Sequence, residues 1–185
     1  MIVLRAVEAG FSRDDLTVET FSFTLRAGES VCVVQPNARA ASTAARMCAA
    51  IVKPSTGTIF VGEYETRLQP PEAKRRVGFV DAAGFEGDDH AFRCEVAFRA
   101  DVWNLDPSAA QERARGVLAT LGGGAYERAI ALALVADVAA VVLDRPAPGV
   151  LERLRGLVPL AGIAHTRAAP VPALPEPALL LPAAR

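Results

Sequence analysis

The stretch "ESVCVVQPNARAASTAARMC", residues 29–48, constrains the fold more than any other part of the chain. Its apolar run Val31–Val34 has no polar interruption. Such a strand is buried on both faces, as in parallel sheets covered by helices. A Pro-Asn turn and a row of small residues follow, and a helix is expected from about Ser42 to Val52. The connection has the outline of a phosphate loop, G-x-x-x-x-G-K-[ST], yet its fixed positions hold Gln35, Ala40, Ala41 and Ser42.

The flanking segments supply the rest of an α/β protein. "IVLRAVEAGF" and "LTVETFSFTLRAG" alternate in the manner of antiparallel strands, with turns near Arg13–Asp15 and at Ala27-Gly28. "GTIFVGEY" and "RRVGFVDA" read as two more strands. The pattern is weak over 84–105, where "GDDH" at 87–90 reads as a solvated loop in preference to a metal site. "DPSAAQERARGVLATL" is a helix capped by Asp106, with Pro107 in its first turn and Ala110, Ala114, Val117, Leu118 and Leu121 on one face. After "LGGG", the helix "AYERAIALALVAD" leads into the strand "AAVVLDR". "RLRGLVPLAGIAH" repeats the helix-strand order in shorter form. The tail over 168–185 is rich in Ala and Pro, with "ALLL" as a short strand.

The 185 residues suit one domain. A hydrophobic fraction of 51%, a charged fraction of 22% and a net charge of -1 describe a globular chain and disfavour nucleic acid as a partner. Cys32, Cys48 and Cys94 lack the spacing of a disulfide or zinc framework and read as reduced, buried thiols. The N-terminus lacks the pattern of a secretory signal. The longest apolar run, from Ala129, is cut by Asp137 and falls short of the roughly 20 residues a spanning helix needs.

In this order the landmarks resemble the nucleotide-binding subunit of an ATP-binding cassette (ABC) transporter, from about Phe11 to the end. "FSFTLRAGESVCVVQPNARAAST" resembles the strand and phosphate loop, and "KRRVGFVDA" the strand entering the glutamine loop. "LGGGAYERAIALALVAD" is similar to the signature helix, "VVLDRPAPGV" to the Mg-site strand and "GIAHT" to the switch-histidine strand. The resemblance implies an ABC-type P-loop NTPase fold: a parallel-sheet core with covering helices, an N-terminal antiparallel β subdomain and a reduced helical subdomain over about 84–125.

The departures fall on the chemistry. Ala41 replaces the lysine that neutralises the β- and γ-phosphates, and Gln35 and Ala40 replace glycines. Asn37, Arg39, Ser42 and Thr43 are what remains of the loop, with Arg39 read as its one local cation. Ser42 reads as the helix N-cap or, if Mg-nucleotide binds, as a metal ligand beside Asp144. Arg145 stands at the position of the water-polarising glutamate, where a guanidinium offers only donors; an interface or surface ion pair, with Asp144 as one candidate partner, is its plainer role. Gly122 and Ala125 depart from the signature, leaving Gly123 and Gly124 to face a partner's nucleotide or to serve as a helix connection. His165 takes the switch position, Ala82 that of the coupling glutamine and Leu151 that of a dimer-contacting aspartate. Phe11 reads as core in preference to adenine stacking.

The resemblance and its gaps together imply a noncatalytic homologue that requires no cofactor, with ATP and Mg weak or absent. Its expected partners are an intact ABC ATPase subunit, a polytopic membrane subunit or both, with a homodimer as a further arrangement. The expected location is cytoplasmic, at the inner face of the membrane through a partner. The alternatives are a residual ATP-binding protein and a free-standing scaffold.

Overall fold

A computed structural model describes residues 1–146, 150, 154, 161–166 and 179–180. The chain builds two sheets. β1 (Ile2–Arg13) and β2 (Leu16–Arg26) pair antiparallel through the turn at Asp14-Asp15, and β4 (Thr56–Val61) and β5 (Tyr64–Glu65) complete a sheet of order β2-β1-β4-β5. The second sheet has the order β6-β7-β8-β3-β9, built from β3 (Ser30–Gln35), β6 (Val77–Val80), β7 (Ala140–Asp144), β8 (Ala161–Thr166) and β9 (Leu179–Leu180). All of its pairings are parallel.

Alternation along the central strands explains the layering. On β3, Val31 and Val33 join the core beneath the antiparallel sheet, while Cys32 and Val34 join the core beneath the helices. Ala140 and Val142 of β7 divide from Val141 and Leu143 in the same way. A period of two therefore gives each face its own apolar set, as the uninterrupted run predicts. The first core takes α1 (Ala38–Cys48), and the second takes α3 (Asp89–Val102), α4 (Pro107–Leu121) and α5 (Ala125–Ala133). Phe11 packs against the first core, as expected.

Local signals hold in several places and fail in others. Asp106 caps α4 by accepting from the Ala109 N–H at 2.7 Å, and Pro107 opens the helix. The region 84–105 contains α3, which its sequence pattern did not announce: Asp88 caps it, accepting from Ala91 N–H at 2.7 Å, so "GDDH" is mostly a helix start. A short α2 (Pro70–Arg76) also escaped the periodicity, because it buries only Ala73. Cys32 and Cys48 are buried free thiols, whereas Cys94 is exposed. No described helix is long and apolar enough to cross a membrane. Leu151, most of the 168–185 tail and the segment between Leu154 and Ala161 lie outside the described residues.

Candidate functional site

The site gathers at the carboxyl ends of β3, β6 and β7, the usual place for ligands in open parallel sheets. Gln35 closes β3 and is fully buried at 0% exposure. Its Oε1 accepts from the Glu19 N–H at 2.9 Å and its Nε2 donates to the Glu19 carbonyl at 3.1 Å. The side chain thus acts like a short length of strand, tying the parallel sheet to β2. A glycine there offers no such tie.

The helix begins earlier than its sequence suggests. Asn37, not Ser42, is the N-cap of α1, its Oδ1 accepting from the Ala40 N–H at 2.9 Å. The Ala41 N–H donates to the Asn37 carbonyl at 3.0 Å. Ala substitutions explain the shift, since alanine favours helix where glycine favours an open loop. Residues 38–41 are therefore wound into the first turn. Ala40 and Ala41 face the core at 0% exposure, and their amides bond to Asn37.

Starting the helix at Ala38 places Arg39, Ser42, Thr43 and Arg46 on one face, at spacings of three, four and seven. With Ala38, Leu16 and Arg145 they line a cavity of about 420 Å³. Arg39 is accordingly not the one local cation: Arg46 and Arg145 join it. Sequence reading missed Arg46 because its spacing from Arg39 is informative only once the helix start is known. Thr43 faces inward enough to donate from Oγ1 to the Arg39 carbonyl at 2.9 Å.

Each arginine holds an aspartate. Arg39 Nη1 pairs with Asp15 Oδ2 at 2.7 Å on the exposed rim, and that hydrogen bond lowers the Asp15 pKa. Arg46 Nη2 pairs with Asp81 Oδ2 at 2.9 Å, while Asp81 Oδ1 accepts from the Ala83 N–H at 3.1 Å. The bond from Ala83 and the guanidinium together outweigh partial burial and hold the Asp81 carboxyl below its ordinary range. Arg145 Nε pairs with Asp144 Oδ1 at 3.2 Å, one of the pairings the sequence offered.

Asp144 is the deep member, 1% exposed at the end of β7. Its Oδ2 accepts from Ser42 Oγ at 2.7 Å, so both carboxylate oxygens are engaged. Arg145 adopts φ of 49°, a left-handed backbone that is uncommon for a side chain of this size. Tyr126 closes the cluster from α5, donating from its hydroxyl to the Asp144 carbonyl at 3.3 Å. Burial first, then the charges of Asp144 and Asp81, push the Tyr126 pKa well up, so it remains a neutral donor. Gly84, at φ of 76°, lets the loop after β6 reach α5, where a Cβ would lie 2.7 Å from the Ala125 carbonyl carbon. Ala82 lies in this same turn.

Gly123 and Gly124 lie apart from the cavity, exposed at the start of α5. Gly123 has open space around it, but the Glu127 carboxylate reaches over Gly124, where a Cβ would crowd it. His165 follows Ala164, the β8 residue in register with Asp144, and pairs across from Val34. Among the described residues no group of three or more His, Cys, Asp or Glu side chains is arranged to hold a metal.

An antiparallel sheet set over a parallel one, with helices beyond and a site at the strand ends, is the ABC ATPase fold. The chain superposes on a solved structure of an ATP-binding subunit of an ABC transporter with a TM-score of 0.70 and 15% identity, covering 88% of this chain and 79% of that one. It also matches a dimeric ATP-binding cassette in a post-hydrolysis state bound to ADP and Pi, with a TM-score of 0.65, 15% identity and coverages of 89% and 88%. In sequence it is 28% identical over 171 residues to the Nod factor export ATP-binding protein I of Burkholderia lata, covering 85% of this chain and 56% of that protein. A putative ABC transporter ATP-binding protein of Pyrococcus abyssi is 29% identical over 178 residues, with coverages of 85% and 67%. The chain therefore spans between about half and two thirds of these curated relatives. No family model matches it. Sequence relatives and solved structures together support the ABC transporter ATP-binding subunit family.

Proposed function

We propose that this chain is a noncatalytic member of that family, a structural or regulatory partner of an intact ABC ATPase in a transporter assembly. The observation that carries the reading is the engagement of Asp144 by Ser42 and Arg145 at distances of 2.7 and 3.2 Å. Hydrolysis in such folds needs a cationic clamp on the transferring phosphoryl group and a base to orient water. A guanidinium at the base's position can neither accept a proton nor leave Asp144 open, and the amides of Ala40 and Ala41 are already bonded.

A solved relative in fold is described as part of the ABC transporter complex cbiONQ, which favours an assembly over a solitary scaffold. In a head-to-tail pair, this chain would present Gly123 to its partner and withhold a working phosphate loop. At most one of two composite sites would then be competent. The test has two arms, ATPase activity of the purified chain and co-purification from the native cell. Background turnover together with recovery of an intact ABC ATPase or a membrane subunit supports the reading. ATP turnover that vanishes on Asp144→Ala refutes the noncatalytic part, and recovery of this chain alone refutes the partnership.

A further inference from the structure

α3 carries apolar residues on both of its sides. Phe92, Val96 and Ala100 face the core, while His90, Cys94, Phe98 and Val102 recur at every fourth position and form one exposed ridge. Phe98 is 62% and Val102 53% exposed. Ala91 and Ala97 flank the ridge, and within this face only Asp101 is charged. On the ridge, Cys94 Sγ lies 3.7 Å from His90 Nε2. Zinc binds sulfur at about 2.3 Å and imidazole nitrogen at about 2.0–2.1 Å, and a tetrahedral angle between those bonds separates the two atoms by about 3.6 Å. The pair is therefore already spaced to chelate one metal ion. Its acidic neighbours are engaged, Asp89 by Arg128 and Glu95 by Arg99, so each chain offers two ligands where a closed zinc site takes four. Burial pushes the Cys32 pKa up to about 11 and that of Cys48 to about 12, which leaves the exposed Cys94 as the thiol able to ionise on a metal.

We propose that His90 and Cys94 are half of a structural Zn²⁺ site, completed by the same two residues of a second copy of this chain across a two-fold axis beside Cys94. The two-fold doubles the set to two imidazoles and two thiolates, a donor set that zinc takes in closed tetrahedral sites. Each thiol releases its proton to solvent as it binds, so the two thiolates cancel the charge of the ion. A neutral centre suits a contact lined by Phe98 and Val102 from both ridges, and the small side chains at 91, 94 and 97 let the helices approach. Metal and surface depend on each other. The 14 residues of α3 make a helix about 21 Å long, and one face of it buries a few hundred Å², short of the roughly 800 Å² per partner of a stable interface. The chain is accordingly a monomer without metal and a dimer with it. The ridge shares no residue with the cavity at the strand ends, so the proposal stands apart from the noncatalytic reading.

The test uses the full chain, reduced and stripped of metal, with Zn²⁺ and its spectroscopic substitute Co²⁺ as probes. Sedimentation is expected to show a monomer in EDTA and, with Zn²⁺, a dimer holding one ion per two chains. Co²⁺ is expected to give a thiolate charge-transfer band and the intense visible bands of a tetrahedral site. Cys94→Ser should abolish the charge-transfer band, and His90→Gln should weaken Co²⁺ binding at least about tenfold. Both positions are exposed, so both variants should melt within a few degrees of the wild type. Phe98→Glu keeps both ligands but should stay monomeric and lose the tetrahedral bands. Absence of zinc-dependent association, a dimer that EDTA leaves intact, a dimer that only reductant dissolves, or Co²⁺ binding unchanged in Cys94→Ser would each overturn the proposal.

Discussion

Placing a lysine at position 41 is the perturbation that best separates the sequence pattern from the folded geometry. In the phosphate-loop frame, Ala41→Lys should recover affinity for phosphate. In the structure, position 41 lies inside the first turns of α1 and is 0% exposed, packed in the core between the helix and the antiparallel sheet. A buried lysine typically shifts its pKa by roughly 3–5 units, which at about 1.4 kcal/mol per unit amounts to about 4–7 kcal/mol. Added side-chain volume costs about 1–3 kcal/mol more in a filled core. Against a total stability of about 5–15 kcal/mol, this is enough to unfold much of the population. Thermal melting followed by circular dichroism reads the loss, and Ala41→Met isolates the volume effect, with an expected cost of about 1–3 kcal/mol. If Ala41→Lys melts within a few degrees of wild type and binds phosphate more tightly, the helix does not begin at Ala38 and the reasoning fails.

Two further outcomes follow from the same cluster. Gln35→Leu removes both hydrogen bonds to Glu19 and should cost about 2–3 kcal/mol, a drop of roughly 4–12 °C in melting temperature; Gln35→Glu should cost more, because it buries a charge against the Glu19 carbonyl. A melting temperature unchanged in both would show that the two sheets are not tied there. The lowered pKa of Asp81 means that its folded form holds fewer protons than the unfolded chain, so its contribution to stability is present above the unfolded value of 3.8 and is lost as pH falls through the folded pKa. Asp81→Asn should therefore flatten the acid side of the stability curve below about pH 4 and leave its slope near neutrality unchanged; an altered slope at pH 6–8 would contradict the assignment.

How much of the molecule was legible in its sequence depends on the range of the forces involved. The double-sided burial of β3 was legible because alternation is a property of the strand itself: Val31 and Val33 must face opposite to Cys32 and Val34 wherever the strand lies. The cap at Asp106 and the turn at Asp14-Asp15 were legible for the same local reason. α3 was not, because in its sequence the buried Phe92, Val96 and Ala100 are outweighed by polar neighbours, and only packing against α4 and α5 makes that narrow stripe sufficient.

The site divides in the same way. The residue types at positions 41 and 145 could be read directly, since a residue's chemistry needs no fold. The site's actual construction could not. That Gln35 splints β3 to β2 and that Arg46 reaches Asp81 depend on segments 16 and 35 residues apart being brought together. By itself the sequence determined which side chains were available and which strands had to be buried. The tertiary structure decided which of them meet, because a hydrogen bond or an ion pair forms only where packing fixes both partners within about 3 Å.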